Sequence, residues 1–224
     1  MKKELLLLAA LAVSAAAHSQ NRHTTSRDTN GVVTTWETHW SRDFAGRYKS
    51  VYDKKANVRT LVPRPPTELA DQTARTAQRI LVKKSLGQPF PAFQVTDYTG
   101  RVFDSKQLQG KVIVLNFWFV GCAPCEVEMA ELNRLHAKYQ SDPNVVFVSL
   151  VHSPKEVVET FLATHPFTYP IVALDKPLLA LLKPAGYPTN VVLDKAGRYA
   201  YESVGAGVGA VSLLGAAIEK AAHL

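Results

Sequence analysis

Residues 111–140 read KVIVLNFWFVGCAPCEVEMAELNRLHAKYQ, and this stretch decides the fold. The run from Val112 to Phe119 is almost wholly apolar, as expected for a central strand that is covered on both faces. Gly121 interrupts this run, and apolar residues then recur at helical spacing at Met129, Leu132, Leu135 and Tyr139. The sequence therefore predicts a strand followed by a helix, with two cysteines at the turn between them.

Cys122 and Cys125 are predicted to be a redox pair at the start of this helix. Exposed backbone N–H groups and the helix dipole stabilise negative charge there, and a thiolate is the form of cysteine that exchanges disulfides. Cys122 is then the attacking residue, and Cys125, one turn inward, is the resolving residue. Pro124 fits the first helical turn because the N–H that it lacks would have had no helical partner.

Two other uses of a cysteine pair explain this spacing less well. A structural disulfide that closes so small a loop removes little entropy from the unfolded chain. A structural zinc site needs four ligands, and the sequence has no second C-x-x-C and no H-x-x-x-H motif. We therefore expect no metal and no cofactor apart from a redox-active disulfide between Cys122 and Cys125.

The first residues have the layout of a secretory signal peptide. Lys2 and Lys3 precede an apolar run from Leu5 to Val13, which is too short to span a bilayer. Cleavage after Ala17 or after Ser19 fits equally well. We expect residues 1–19 to be a leader, the mature protein to have no transmembrane segment, and its location to be the periplasm or cell envelope.

Residues 20–86 are predicted to form a small β and helical extension. The segments GVVTTWETHW and AGRYKSVYD suggest short strands, residues 21–30 suggest a flexible start, and a helix is predicted after Pro66. Residues 21–86 contain 13 Lys or Arg and 6 acidic residues, whereas residues 87–224 contain 11 and 12. Because the basic residues are scattered, without a stacking motif, no nucleic-acid partner is expected.

Residues 87–224 are predicted to form the main domain. After the central strand and its helix, strands and helices alternate, and the segments NVVLD and YAYESV form a final hairpin before a closing helix. The fold class is therefore α/β, with a mixed central sheet flanked by helices.

This domain resembles the TlpA/ResA-type thiol-disulfide oxidoreductases, which have a thioredoxin-like fold. The most specific matches are Trp118 four residues before Cys122, the C-x-P-C motif, and Pro188 in GYPTNVVLDKAGR. The resemblance implies that Pro188 is a cis-proline beside the redox pair and that Pro188, Tyr187 and Thr189 bind an extended substrate. It also implies that Trp118 lies near the pair in a supporting role.

The resemblance further implies reduction of disulfides in exported proteins, apocytochrome c before haem attachment among them, with electrons from a membrane thiol donor. Thioredoxin itself has a buried Asp where this chain has Asn116, and an amide cannot accept the proton of Cys125, so Asn116 is expected to be structural. Two alternatives stay open from the residues alone. They are a peroxiredoxin-like thiol peroxidase and a non-enzymatic module that docks a partner.

Overall fold

The computed structural model describes residues 25–27, 33–34, 48–56 and 58–223. The chain divides into two compact units, one ending at Pro65 and the other running from Pro66 to Leu224. The predicted leader lies outside the described residues. No helix in the described ranges is both long and apolar enough to cross a membrane.

In the described part of the first unit, four short strands form one sheet. These strands are β1 (Thr25–Arg27), β2 (Val33–Thr34), β3 (Tyr48–Asp53) and β4 (Val58–Pro63), in the order β2-β1-β4-β3. β2 and β3 lie in the two segments predicted as strands. The prediction of a flexible start at residues 21–30 is wrong for β1, and β4 was not predicted. Pairing with neighbouring strands fixes such short elements, and a local sequence pattern does not carry that information.

The second unit begins with α1 (Pro66–Ile80), which the sequence analysis assigned to the extension. The Arg79 guanidinium donates to the carbonyl of Ala206 over 2.9 Å, and the backbone N–H of Val82 donates to the carbonyl of Glu202 over 2.9 Å. These bonds connect α1 and the residues after it to the C-terminal part of the chain. The unit boundary therefore falls at residues 65–66, about one helix earlier than the predicted boundary at residue 86.

The main sheet of the second unit has five strands, which lie in the order β11 (Tyr199–Val204), β10 (Thr189–Leu193), β7 (Val112–Trp118), β8 (Val145–Val151) and β9 (Ile171–Ala173). A separate hairpin consists of β5 (Gln94–Thr96) and β6 (Val102–Asp104). Strands β7, β8 and β9 run parallel, whereas β10 is antiparallel to both β7 and β11, so the predicted mixed α/β sheet is confirmed. The helices that follow α1 are α2 (Ala123–Tyr139), α3 (Lys155–Leu162), α4 (Lys176–Leu182) and α5 (Ala210–Ala222).

The central strand β7 is buried along its whole length, and its side chains alternate between two hydrophobic cores. Val112, Val114 and Trp118 belong to the core that contains Met129 and Leu132 of α2. The residues between them face a second core on the other side of the sheet: Ile113, Leu115 and Phe117. Burial on both faces explains why β7 reads as a continuous apolar run rather than as an alternating one.

One row of the sheet, on the face toward α2, is polar although it is buried. Asn116 of β7 pairs in register with Ser149 of β8 and with Asn190 of β10, and Asn190 pairs with Ser203 of β11. All four side chains are buried. This polar row crosses four neighbouring strands beneath α2, and a buried polar group needs hydrogen bonds to offset its lost hydration.

Candidate active site

Cys122 and Cys125 form a disulfide at the N-terminus of α2. Cys122 is the residue before the helix, and its carbonyl accepts hydrogen bonds from the backbone N–H groups of Cys125 and Glu126 over 2.9 and 3.0 Å. Only 4% of Cys122 and 1% of Cys125 is exposed, whereas Ala123 and Pro124 between them are exposed. The pair therefore lies at the start of a helix, where the backbone N–H groups would stabilise a negative charge on a sulfur, as the sequence predicts.

Two consecutive backbone N–H groups of the loop between β7 and α2 donate hydrogen bonds to side chains. Gly121 has a φ of 91°, a conformation that other residues rarely adopt, and its N–H donates to Glu126 Oε1 over 2.9 Å. The N–H of Val120 donates to Ser153 Oγ over 3.0 Å. These bonds fix the backbone that leads into Cys122, so the position of the redox pair does not depend on the disulfide alone.

The peptide bond between Tyr187 and Pro188 is cis, the form that the family resemblance implied. The turn is held on both sides, because Thr189 Oγ1 donates to the carbonyl of Gly186 over 2.8 Å and the N–H of Gly205 donates to the carbonyl of Pro188 over 2.7 Å. Thr189 pairs with Phe117 near the end of β7. The turn therefore lies at the end of the sheet where the loop to Cys122 begins.

The three residues predicted to contact substrate differ in exposure. Tyr187 is half-buried, whereas Pro188 and Thr189 are buried, and the Thr189 hydroxyl is already bonded within the turn. The Thr189 side chain thus stabilises the turn from inside, and the Tyr187 side of the turn lies at the surface.

Trp118 is completely buried and packs behind the loop. Its indole N–H donates to Ser149 Oγ over 2.6 Å, and its ring lies 5.6 Å from Phe161 and 6.0 Å from Phe167 between ring centroids. This side chain supports the end of β7 by packing and presents no surface to a substrate.

A buried carboxyl group lies on α2 three residues after Cys125. Glu128 Oε1 accepts hydrogen bonds from the side-chain amides of Asn116 over 3.2 Å and Asn190 over 3.1 Å, and the Asn116 amide also donates to Asn190 Oδ1 over 2.9 Å. Glu128 Oε2 has no hydrogen-bond partner among the residues that the structure describes. Burial raises the pKa of Glu128 to about 8, and the two amide bonds only partly oppose this shift.

The sequence analysis assigned no role to Glu128, because a single acidic residue on a helix is usually solvated or satisfied within a core. Residues three apart share a helix face, so Glu128 lies on the same side of α2 as Cys125. The signal was an acidic residue within the buried stripe that also contains Met129 and Leu132. Asn116 is structural, as expected, but it acts together with Asn190 to hold an acid whose pKa is near neutral.

The described residues contain no group of three or more His, Cys, Asp or Glu side chains arranged to hold a metal ion. What the site offers is a disulfide-bonded cysteine pair at a helix start, a cis-proline turn at the same end of the sheet, and a buried carboxyl group with a raised pKa. These features define the class of thioredoxin-fold proteins that exchange dithiols and disulfides.

Comparisons with known proteins agree with this class. The profile of the AhpC/TSA family matches residues 86–201. The thiol-disulfide oxidoreductase ResA of Bacillus cereus is 33% identical over 126 residues, which are 55% of this chain and 72% of that relative.

Two solved structures have the same fold. A putative thiol:disulfide interchange protein DsbE from Chlorobium tepidum is 25% identical with a TM-score of 0.55, and the match covers 61% of this chain and 97% of that one. A putative thioredoxin from Neisseria meningitidis is 26% identical with a TM-score of 0.52, and the match covers 59% and 88%. The chain belongs to the AhpC/TSA family and, within it, to the ResA-like thiol-disulfide oxidoreductases.

Proposed function

We propose that the protein is exported and that it reduces disulfides in other exported proteins through Cys122 and Cys125, without a further cofactor. The observation that carries the direction is the buried carboxyl of Glu128 on the Cys125 face of α2. Strong oxidants of this fold are oxidising because their reduced, thiolate form is stabilised. A neutral carboxyl on this face adds no positive charge that would stabilise a thiolate, its ionised form would oppose one, and Ala123 and Pro124 bring no positive charge between the cysteines.

The reaction follows from the order of the groups along α2. The Cys122 thiolate attacks one sulfur of the substrate disulfide, forms a mixed disulfide, and releases the other sulfur as a thiolate that takes up a proton. Cys125 then loses its proton and attacks the Cys122 sulfur, which reforms the internal disulfide and releases the second substrate thiol. The substrate gains two electrons and two protons, and the cysteine pair loses them.

Glu128 is suited to receive the proton of Cys125. A general base works best when its pKa is near the working pH, and burial holds the pKa of Glu128 at about 8. The hydrogen bonds of Asn116 and Asn190 occupy Oε1, so Oε2 is the oxygen left for proton exchange. This assignment gives the chain the acid–base group that Asn116 cannot supply.

The oxidised protein needs an external reductant, because its two cysteines are both used in the exchange. The leader-like residues 1–19 and the likeness to ResA support a location in the periplasm or cell envelope, and electrons from a membrane thiol donor. We place apocytochrome c, before haem attachment, among the substrates on the same family resemblance. At the substrate side, the Tyr187–Pro188 turn is the backbone that would hold an extended segment, with Thr189 behind it.

The direction is tested by the reduction potential of the cysteine pair, measured in defined thiol buffers. A value near that of thioredoxin, about −270 mV, is expected for a reductant. A value near about −120 mV would make the protein a donor of disulfides and would contradict the proposal.

The roles of the two cysteines are tested by trapping. A Cys125→Ser variant should accumulate mixed disulfides with exported proteins, because Cys122 still attacks and nothing resolves the product. The matched Cys122→Ser variant should trap none. Full biological activity of Cys122→Ser would instead support a docking module without redox chemistry.

A further inference from the structure

The ring of Tyr187, next to the cis-proline, is held from two sides by residues of other segments. Its hydroxyl lies 3.3 Å from His152 Nδ1. Its ring meets Phe119 edge to face, with 5.2 Å between centroids and an interplanar angle of 88°. Tyr187 also packs against both hydrophobic cores of the second unit.

The two supporting residues come from the ends of neighbouring strands. Phe119 follows β7 directly and begins the loop that leads to Cys122, and His152 follows β8 directly. The backbone N–H of His152 donates to the carbonyl of Trp118 over 2.9 Å, so the two strand ends are bonded to each other. His152 therefore connects the cysteine loop to the cis-proline turn through one side-chain hydrogen bond.

The preceding residue limits how this turn can move. A Cβ on Gly186 would lie 2.9 Å from Val204 Cγ1, so the backbone at residue 186 is packed closely against β11. Burial raises the pKa of the Tyr187 hydroxyl, which therefore stays protonated at neutral pH and can donate to a histidine nitrogen.

We propose that His152 is a positioning residue for substrate binding: its hydrogen bond to Tyr187 holds that ring against Phe119 and so sets the backbone of the cis-proline turn for an extended peptide. The inference rests on the proposed function, because it concerns the peptide that carries the disulfide to Cys122. A peptide needs the turn in order to bind, whereas a small disulfide reagent needs only the thiolate. A substitution of His152 should therefore slow the reaction with a peptide disulfide more than the reaction with a small disulfide reagent.

The test compares two disulfides that release the same group. One is a short extended peptide whose single cysteine is joined to thionitrobenzoate, and the other is the symmetrical aromatic disulfide of thionitrobenzoate. In both reactions the reduced Cys122 sulfur forms a bond to one sulfur of the reagent, the reagent's S–S bond breaks, and coloured thionitrobenzoate leaves with the electron pair. The readout is the ratio of the two rate constants, peptide over small reagent, for the full chain.

For His152→Ala and for Tyr187→Phe this ratio should fall about three- to tenfold, which corresponds to the usual worth of one neutral hydrogen bond. His152→Asn should restore the ratio, because its amide reaches a position close to that of Nδ1. The ratio for the double variant His152→Ala with Tyr187→Phe should not fall below the lower of the two single-variant ratios, because both substitutions remove the same hydrogen bond. His223→Ala removes an imidazole at the end of α5 and serves as the control with an unchanged ratio.

An unchanged ratio in His152→Ala, or equal slowing of both reactions, would refute the positioning role and leave the proposed function standing. Additive losses in the double variant would refute the hydrogen bond as the cause. A wild-type protein that reacts with neither reagent would refute the proposed function itself.

Discussion

Glu128→Gln should remove a pH dependence of stability that the wild-type protein owes to one buried acid. The pKa of this carboxyl is raised by burial from 4.5 to about 8, so the folded protein keeps a proton that the unfolded chain releases between these two pH values. In that interval the unfolded state binds fewer protons, and the free energy of unfolding falls as the pH rises. Below about pH 4.5 the acid is protonated in both states and costs nothing.

The magnitude follows from the width of the interval. From 4.5 to about 8 is about 3.5 pH units, and about 1.4 kcal/mol per unit gives an upper bound of roughly 5 kcal/mol. Glutamine has the same shape, still accepts from Asn116 and Asn190, and does not titrate. The variant should therefore match the wild type at about pH 4 and exceed its stability by a few kcal/mol at about pH 9.

The assay is urea unfolding of the disulfide form of both proteins across this pH range. The free energy of unfolding is plotted against pH for each protein. Subtracting one of these curves from the other removes the contribution of every ionisable group that the two proteins share. Glu156→Gln, which removes an exposed carboxylate from α3, is the matched control and should keep the wild-type slope. A stability difference between wild type and Glu128→Gln that stays constant from about pH 5 to about pH 9 would show that Glu128 is not held protonated in the fold.

Three further outcomes are expected. Gly209→Ala should destabilise the protein by about 1–3 kcal/mol more than Gly197→Ala in urea unfolding, because both glycines have positive φ but a Cβ at Gly209 would also overlap Thr73; equal losses would contradict that packing. Ser149→Ala should cost about 1–3 kcal/mol, since it leaves the buried Trp118 indole N–H unpaired, and this loss should vanish in a Trp118→Phe background. Hydrogen peroxide should be consumed far more slowly than a peptide disulfide is reduced, and the opposite ranking in a peroxide assay would favour the peroxidase alternative.

The redox pair and its scaffold could be predicted because their signals are local. An unbroken apolar run encodes β7, helical spacing encodes α2, and Cys122 and Cys125 stand at the junction of the two patterns. The cis form at Pro188 came from the family resemblance and has no local pattern of its own.

The rest of the site depends on contacts between distant residues. Asn116 and Asn190 are 74 residues apart, and their hydrogen bond exists because β10 pairs with β7 in one particular register. The contact between His152 and Tyr187 spans 35 residues and depends on where two loops end. A single sequence does not state the register, so it gave no reason to group these residues around Glu128 or the cis-proline turn.

The polar row beneath α2 also bears on how the sheet assembles. A slip of one residue in β10 would turn Asn190 to the opposite face, which is lined by Leu115 and Phe117, and would leave its amide without Asn116 and Glu128. A buried polar group without a partner costs about 1–3 kcal/mol. Val191 and Val192 have the same side chain, so apolar burial alone distinguishes poorly between neighbouring registers of β10. A sheet with β10 in a shifted register is therefore less stable because it leaves buried amides unpaired. A variant with an all-apolar row would gain hydrophobic burial but would lose this energy difference between registers during folding.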